Sequence, residues 1–285
     1  MFIDSKGNER RIVDCTFFND ELDILEIRLA EHDKFCDYFV IVEGNKTFAN
    51  KYKPYFFDLS NPRIMKIWEK YKDRIYYHRI SEYPSFESWG MENFSRNSTG
   101  VGIVNFKERG LINDNDFVLL SDVDEIIDHK CMSDISVFES YIGSNFHVQY
   151  EYFHFLISFR YYYFNIEATN EPWSAPVLTL VKNYNSPQKL RHHNNENPIF
   201  FIENGGWHFS YMGGVDKIVE KLESSAHREI DKDEYKKSIK ERIDNLQDIL
   251  ERPEHNYKKL DDNNYPQFVL DNLDRFGKYF SPERK

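Results

Sequence analysis

The sequence predicts an α/β protein: a mainly parallel sheet flanked by helices, followed by a β-rich extension and C-terminal helices. Three observations carry this. Strand-like and helix-like patterns alternate up to about residue 121, β-branched and aromatic runs dominate beyond about residue 145, and helical spacing of apolar residues returns near the C-terminus.

Arg11 to Phe17 (RIVDCTF) reads as a strand, and Glu21 to Glu31 places Leu22, Leu25 and Leu29 on one helical stripe. Tyr38 to Val42 (YFVIV) is continuously apolar, as in a strand covered on both faces. Ser60 is expected to cap a helix with Pro62 in its first turn and Ile64, Ile67, Trp68 and Tyr71 inward, followed by a strand from Arg74 to Ile80. Glu87 to Arg109 reads as one helix closed by Gly110. Asp116 to Ser121 (DFVLLS) is the clearest buried strand. Such alternation favours parallel strands joined by crossover helices. His147 to Phe164, Val177 to Tyr184 and Trp207 to Tyr211 read as meandering strands. Val215 to Leu222 is a short helix, and Tyr235 to Leu250 a longer one with Ile239, Ile243, Leu246 and Ile249 on one face. No Pro, Gly or Ser-rich linker intervenes, so a single domain over 1–285 is expected, in parts bounded at about 10–145, 146–230 and 231–285.

Lys and Arg number 37 against 48 Asp and Glu, so the formal net charge is −11. That removes the electrostatic attraction on which nucleic-acid binding depends. Charges interrupt every apolar run of the N-terminal segment, so neither a signal peptide nor a membrane span is expected. Cys15, Cys36 and Cys131 form no C-x-x-C pair, which fits a reducing, cytoplasmic setting. Nothing in the sequence sets an oligomeric state.

The most informative segment is Ser121-Asp122-Val123-Asp124-Glu125, directly after the strand FVLLS. In extended backbone alternate side chains share a face, so Asp122 and Asp124 are expected to converge while Val123 packs away. Ligands of open α/β sheets bind at the C-terminal ends of strands, and paired carboxylates there suit Mn²⁺ or Mg²⁺ carrying a phosphate ligand. The competing reading is an acidic loop in solvent. Gly205-Gly206-Trp207-His208 is the second site of interest, where paired glycines permit close backbone approach and His208 could complete the metal's coordination or serve as a bonded core residue. Arg96 and Lys46 are positioned to meet a diphosphate or to be surface charges. Tyr161, Tyr162, Tyr163 and Trp173 are candidates for stacking on sugar rings or for core packing. Gly100-Val-Gly102 imitates a dinucleotide fingerprint but follows a helical pattern, and no P-loop or G-x-S-x-G motif is present.

Four ordered segments, Ile12 to Leu29, Tyr38 to Phe48, Leu120-Ser-Asp-Val-Asp-Glu-Ile126 and Gly205-Gly-Trp-His-Phe-Ser-Tyr211, resemble glycosyltransferase family 17. The resemblance runs from about residue 10 to about 280 and is weakest over 150–200. It implies a GT-A type nucleotide-sugar-binding fold and, from the eukaryotic members, β-1,4-N-acetylglucosaminyl transfer to a glycan. It assigns Asp122 and Asp124 to the metal and the donor's diphosphate and ribose. By analogy with other GT-A enzymes His208 is a third metal ligand, and Phe17 to Asn19 and Glu43 border the nucleotide. On this likeness 10–145 is the nucleotide-binding half and 146–230 the acceptor side. The N-terminal membrane anchor of animal members is not expected here.

The function expected is therefore metal-dependent, inverting transfer of a hexosyl unit from a UDP-sugar, UDP-N-acetylglucosamine foremost, to a carbohydrate hydroxyl, with Mn²⁺ or Mg²⁺ screening the departing UDP. Single displacement needs a carboxylate base, for which Glu151 and Glu171 are the candidates. The rivals are a metal-dependent phosphohydrolase and a non-catalytic, Ca²⁺-dependent glycan-binding module.

Overall fold

The computed structural model describes residues 2–3, 9–85, 87–132, 152–169, 172–192, 199–252 and 255–281. A two-residue hairpin, β1 (Phe2–Ile3) with β2 (Glu9–Arg10), precedes two larger sheets. The strands are β3 (Ile12–Phe17), β4 (Tyr38–Gly44), β5 (Ile75–Ile80), β6 (Phe117–Leu120), β7 (Glu125–Ile127), β8 (Tyr152–Phe155), β9 (Ser158–Tyr161), β10 (Ile166–Ala168), β11 (Val177–Leu180), β12 (Ile199–Ile202), β13 (Gly206–Ser210) and β14 (Tyr257–Lys259). The seven-stranded sheet has the order β12-β8-β11-β6-β3-β4-β5, and the five-stranded sheet the order β14-β10-β9-β13-β7. In the larger sheet β3, β4, β5 and β6 run parallel, and β11 lies antiparallel between β6 and β8.

The expected alternation of the first half is what the chain forms. Helices α1 (Leu22–His32) and α2 (Pro62–Tyr71) cover one face of the large sheet, and α3 (Ser88–Asn97) and α4 (Thr99–Glu108) the other. Successive residues of a strand point to opposite faces, so both covers require apolar residues throughout. Ile12, Phe39, Ile41 and Leu119 pack with Leu25, Leu29, Ile64 and Ile67 on the first face. Val13, Cys15, Val40 and Val118 pack with Met91, Ile103 and Phe106 on the second. Gly102 lets α4 approach closely, since a Cβ there would lie 2.5 Å from Val40 Cγ2. Gly102 thus serves helix-on-sheet packing, whereas a Cβ at Gly100 would meet nothing within 4 Å.

Several expected boundaries move. Asn61, not Ser60, caps α2, its side chain accepting the Arg63 N–H at 3.0 Å. The helix expected over 87–109 divides at Ser98, where the Ser98 and Thr99 hydroxyls bond back to the Phe94 and Arg96 carbonyls and compete with the helical ladder. The helix expected over 235–250 is Asp233–Asp244, because Leu246 turns to φ 55°. Ile249 is buried outside it. The strands after 145 do not form a separate meander: β8, β11 and β12 complete the large sheet, while β9, β10, β13 and β14 join β7 in the smaller one.

α1 lies between the two sheets. Leu25 and Leu29 face the large sheet, whereas Ile24 and Ile27 pack against Ile126, Trp207 and Phe209 of the small one. This leaves Arg28, Glu31 and His32 without solvent exposure. Arg28 is satisfied by a fork onto Asp14 of β3, by Ser121 Oγ at 2.8 Å, and by the carbonyls of Asp122 at 2.7 Å and Glu125 at 2.9 Å. His32 Nε2 accepts the Ile127 N–H at 2.9 Å, so the ring proton sits on Nδ1 and is donated to Asp14. Burial alone would raise the Asp14 pKa, but Arg28 and His32 outweigh it and hold the carboxyl down at about 2.

Replacing Arg28 with Met leaves Asp14 buried and without its guanidinium, and should cost on the order of 3–5 kcal/mol in urea unfolding. Because the Asp14 pKa is depressed in the folded state, its contribution to stability is present above its unfolded value of about 3.9 and lost as pH falls through about 2. The urea midpoint should hold above about pH 4 and decline between about pH 4 and 2.

Candidate active site

The chain runs from β3 outward through β4 to β5, then returns to β6 on the other flank of β3. The β3–β6 boundary is therefore the point where the winding reverses, and loops leaving the two strands part there to open a crevice. A cleft of about 930 Å³ lies at this position, lined by Phe17 at the end of β3, Asn19 beyond it, and Asp122, Val123 and Asp124 after β6. It also takes in Lys46, Arg96, Arg191, His208 and Lys221.

β6 ends at Leu120, and residues 121–124 form a turn that hands the chain from the large sheet to β7 of the small one. Turn geometry, rather than the extended backbone expected from the sequence, presents Asp122 and Asp124. Glu125 closes the turn: its N–H reaches Asp122 O at 3.0 Å, and its Oε2 accepts the Asp122 N–H at 2.7 Å. The Glu125 carboxylate has no exposure and sits in a fork from Arg191 at 2.7 Å on each oxygen, with Trp173 Nε1 donating to Oε1 at 2.5 Å. Val123 packs into the core, as its place between the two aspartates implied.

The two aspartates have different surroundings. Asp122 is gripped by Arg96 at 2.9 and 2.8 Å and touched by Arg191 at 3.1 Å. Asp124 takes the Lys221 ammonium at 3.0 Å on one oxygen and has His208 Nε2 at 3.5 Å from the other. Burial opposes ionisation of both, and the neighbouring groups overcome it: Arg191 and Arg96 hold Asp122, and Lys221 with the His208 contact holds Asp124, well below the usual carboxylate range.

His208 reaches this place because β13 pairs with β7 in the register that sets it opposite Glu125. Gly206 makes the pairing feasible: its φ is 139°, and a Cβ there would stand 2.1 Å from Ile126 O. The imidazole stacks on Phe159 at 4.5 Å, and its Nδ1 is buried without a hydrogen-bond partner among the described residues.

Other sequence candidates divide. Phe17 rests on Phe48 with ring centroids 5.1 Å apart at the cleft wall. Lys46 lines the cleft with its ammonium on Asn50 Oδ1. Arg96 is there as expected, but its guanidinium is spent on Asp122, Glu92 and Gln188. Glu43 is not part of the lining: it has no exposure, and its carboxylate gathers Lys53, Tyr77 and the N–H groups of Phe56 and Phe57, anchoring the segment after β4. Tyr161 and Trp173 line the cleft, while Tyr162 and Tyr163 line a second cavity. Glu151 and Glu171 lie outside the described residues.

Sequence reasoning missed Arg28, Glu125, Arg191 and Lys221. Asp14 inside the apolar run RIVDCTF, and Arg28 between the inward positions Leu25 and Leu29, were visible signs of a buried ion pair. Arg191 and Lys221 arrive from distant loop and helix positions that carry no local signature. A carboxylate–imidazole cluster elsewhere, Glu31 with Asp128 and His129, is filled by the Lys34 ammonium, 3.0 Å from Glu31 and 3.2 Å from His129.

No curated protein matches the chain. Among solved structures it is similar to the mannosyltransferase PcManGT from Pyrobaculum calidifontis in complex with GDP-Man and Mn²⁺, at 10% identity and a TM-score of 0.33, over 53% of this chain and 36% of that one. Among the described residues no helix is long and apolar enough to cross a membrane. The family model of glycosyltransferase family 17 matches residues 3–277, a span that contains both strand ends of the cleft and the β13 histidine, and the protein belongs to that family.

Proposed function

We propose that the chain is a GT-A type, metal-dependent, inverting glycosyltransferase that moves N-acetylglucosamine from UDP-N-acetylglucosamine to a carbohydrate hydroxyl. The observation that carries the reading is the Asp122–Asp124 turn at the end of β6, facing the Phe17–Asn19 end of β3 across the reversal of winding. The cleft's volume is at the upper end of the range for small-ligand sites, as a nucleotide sugar needs. Family membership supports glycosyl transfer, and the resemblance stated above supports the donor.

The donor set at Asp124 and His208, one carboxylate and one imidazole, suits Mn²⁺ or Mg²⁺. Asp122 is the weaker ligand, since both of its oxygens are already in the Arg96 fork. When bound, the cation would supply Lewis-acid charge to the departing diphosphate. Arg96, Arg191 and Lys221 stand in the same cleft, each held on a carboxylate and so fixed in place before any ligand arrives. Phe17 and Phe48 offer a stacking surface for a base, and Tyr161 and Trp173 offer one for a sugar ring.

In a panel of UDP-sugars, UDP-N-acetylglucosamine with Mn²⁺ should raise the melting temperature, by the equivalent of about 2.7 kcal/mol at a hundredfold excess over Kd, and chelator should abolish the rise. Asp124→Asn should remove that stabilisation and slow UDP release at least about 10²-fold. Wild-type stabilisation and turnover in the variant would refute the assignment. Lys221 occupies Asp124 where a cation would bind, so Lys221→Met should tighten Mn²⁺ binding without nucleotide by about tenfold or more in calorimetry.

A further inference from the structure

A second cavity of about 500 Å³ adjoins the cleft, and the two share a wall built of Asn19, Glu21, Asp124, Tyr211, Lys221 and Ser224. Nearly every acid on that wall and on the surfaces either side is already neutralised. Asp122 and Glu92 pair with Arg96, Asp124 with Lys221, Asp20 and Glu220 with Lys217, and Glu229 with His227. Asp23 is surrounded by Arg63, Arg275 and Lys278. Glu21 is the exception: among the described residues no ion pair within 4 Å involves it. Its carboxylate is met only by backbone groups, Oε2 accepting the Asp20 N–H at 3.1 Å and the Glu21 N–H bonding back to its own side chain, among the described residues.

We infer that Glu21 is the catalytic base of the reaction proposed above, taking the proton of an acceptor hydroxyl presented from the smaller cavity to a donor held in the larger one. The inference rests on the transferase reading. The acceptor oxygen bonds to the anomeric carbon as its proton passes to the Glu21 carboxylate, and the anomeric C–O bond breaks with its electron pair leaving on the nucleoside diphosphate. No oxidant, reductant or further reactant is needed. The acceptor is a carbohydrate by the chemistry of its cavity, where Tyr162, Tyr163 and Tyr211 supply flat apolar faces beside polar groups.

Three charged groups act on Glu21: Lys221 from its helix, Asp20 from the same loop and Asp124 from the turn after β6. Burial raises its pKa first, the two aspartates add to that, and Lys221 opposes them, with a net rise that strengthens the carboxylate as a base. Glutamine at this position keeps the shape and the Asp20 contact while removing the proton acceptor.

The test compares wild type, Glu21→Gln and Glu21→Asp for UDP release from UDP-N-acetylglucosamine with Mn²⁺, using water, chitobiose and mannotriose as acceptors, beside the melting-temperature shift caused by UDP with Mn²⁺. Glu21→Gln should lower kcat about 10²- to 10⁴-fold while the UDP-dependent shift stays as in wild type. Glu21→Asp, which keeps a carboxylate one methylene short, should recover part of the rate. A Glu21→Gln kcat within about threefold of wild type would overturn the assignment. Loss of the UDP-dependent shift in the variant would overturn it too, by making Glu21 a donor-binding residue. Should Glu21→Gln fail to fold, an undiminished kcat in Glu21→Asp overturns it. If wild type itself neither binds UDP with Mn²⁺ nor releases UDP, the transferase reading falls and takes the base with it.

Discussion

A guanidinium sealed from solvent must place every N–H on an acceptor, and Arg28 does so. Two of its five donors go to Asp14, one to Ser121 Oγ and two to the carbonyls of Asp122 and Glu125. Three separate pieces of chain are thereby fixed to one rigid plane: β3 through Asp14, α1 through Arg28 itself, and the turn after β6. The carbonyls of the turn are drawn toward the interior, which leaves the Asp122 and Asp124 side chains to face the cleft. Glu125 and Arg191 repeat the device one layer out, with a buried carboxylate and a fork that also steadies Asp122. The geometry of this edge of the cleft is set by ion pairs beneath it.

In a chain of net charge −11, basic side chains also gather at the acidic turn. Sequence reasoning gave a diphosphate to a divalent cation, with Arg96 and Lys46 as candidates beside it. The structure brings the expected Arg96 to the acidic turn from α3 and adds Arg191 from the segment before β12 and Lys221 from the helix Val215–Ser224. Each is paired with a carboxylate, Arg96 with Asp122 and Glu92, Arg191 with Glu125 and Lys221 with Asp124, so the basic side chains offset the acids where both are concentrated.

Much of the first half was legible because strands covered on both faces are apolar throughout, as in YFVIV and FVLL, and the helices between them keep their spacing. The end of FVLLS was legible for the same reason, since an acidic pair directly after a buried strand is chemically conspicuous. Periodicity does not say which neighbour a strand takes, so the division of the later strands between two sheets could not be read. Glu43 illustrates another limit. It stands at the end of β4, as a strand-end ligand would, yet its carboxylate is consumed by Lys53, Tyr77 and two backbone amides. Arg28 was hidden by habit, since an arginine in a helix usually reads as solvated, and only its place between inward leucines said otherwise.

α1 has no wet side: one flank supports the larger sheet, the other the smaller, and the polar residues between them are closed in. A fragment cut just after β6 would carry this helix with Ile24 and Ile27 bare and Arg28 robbed of the Glu125 carbonyl, a poor state for a soluble piece. The strand topology looks divisible on paper, but the two layers hold one helix in common, and neither can dispense with it.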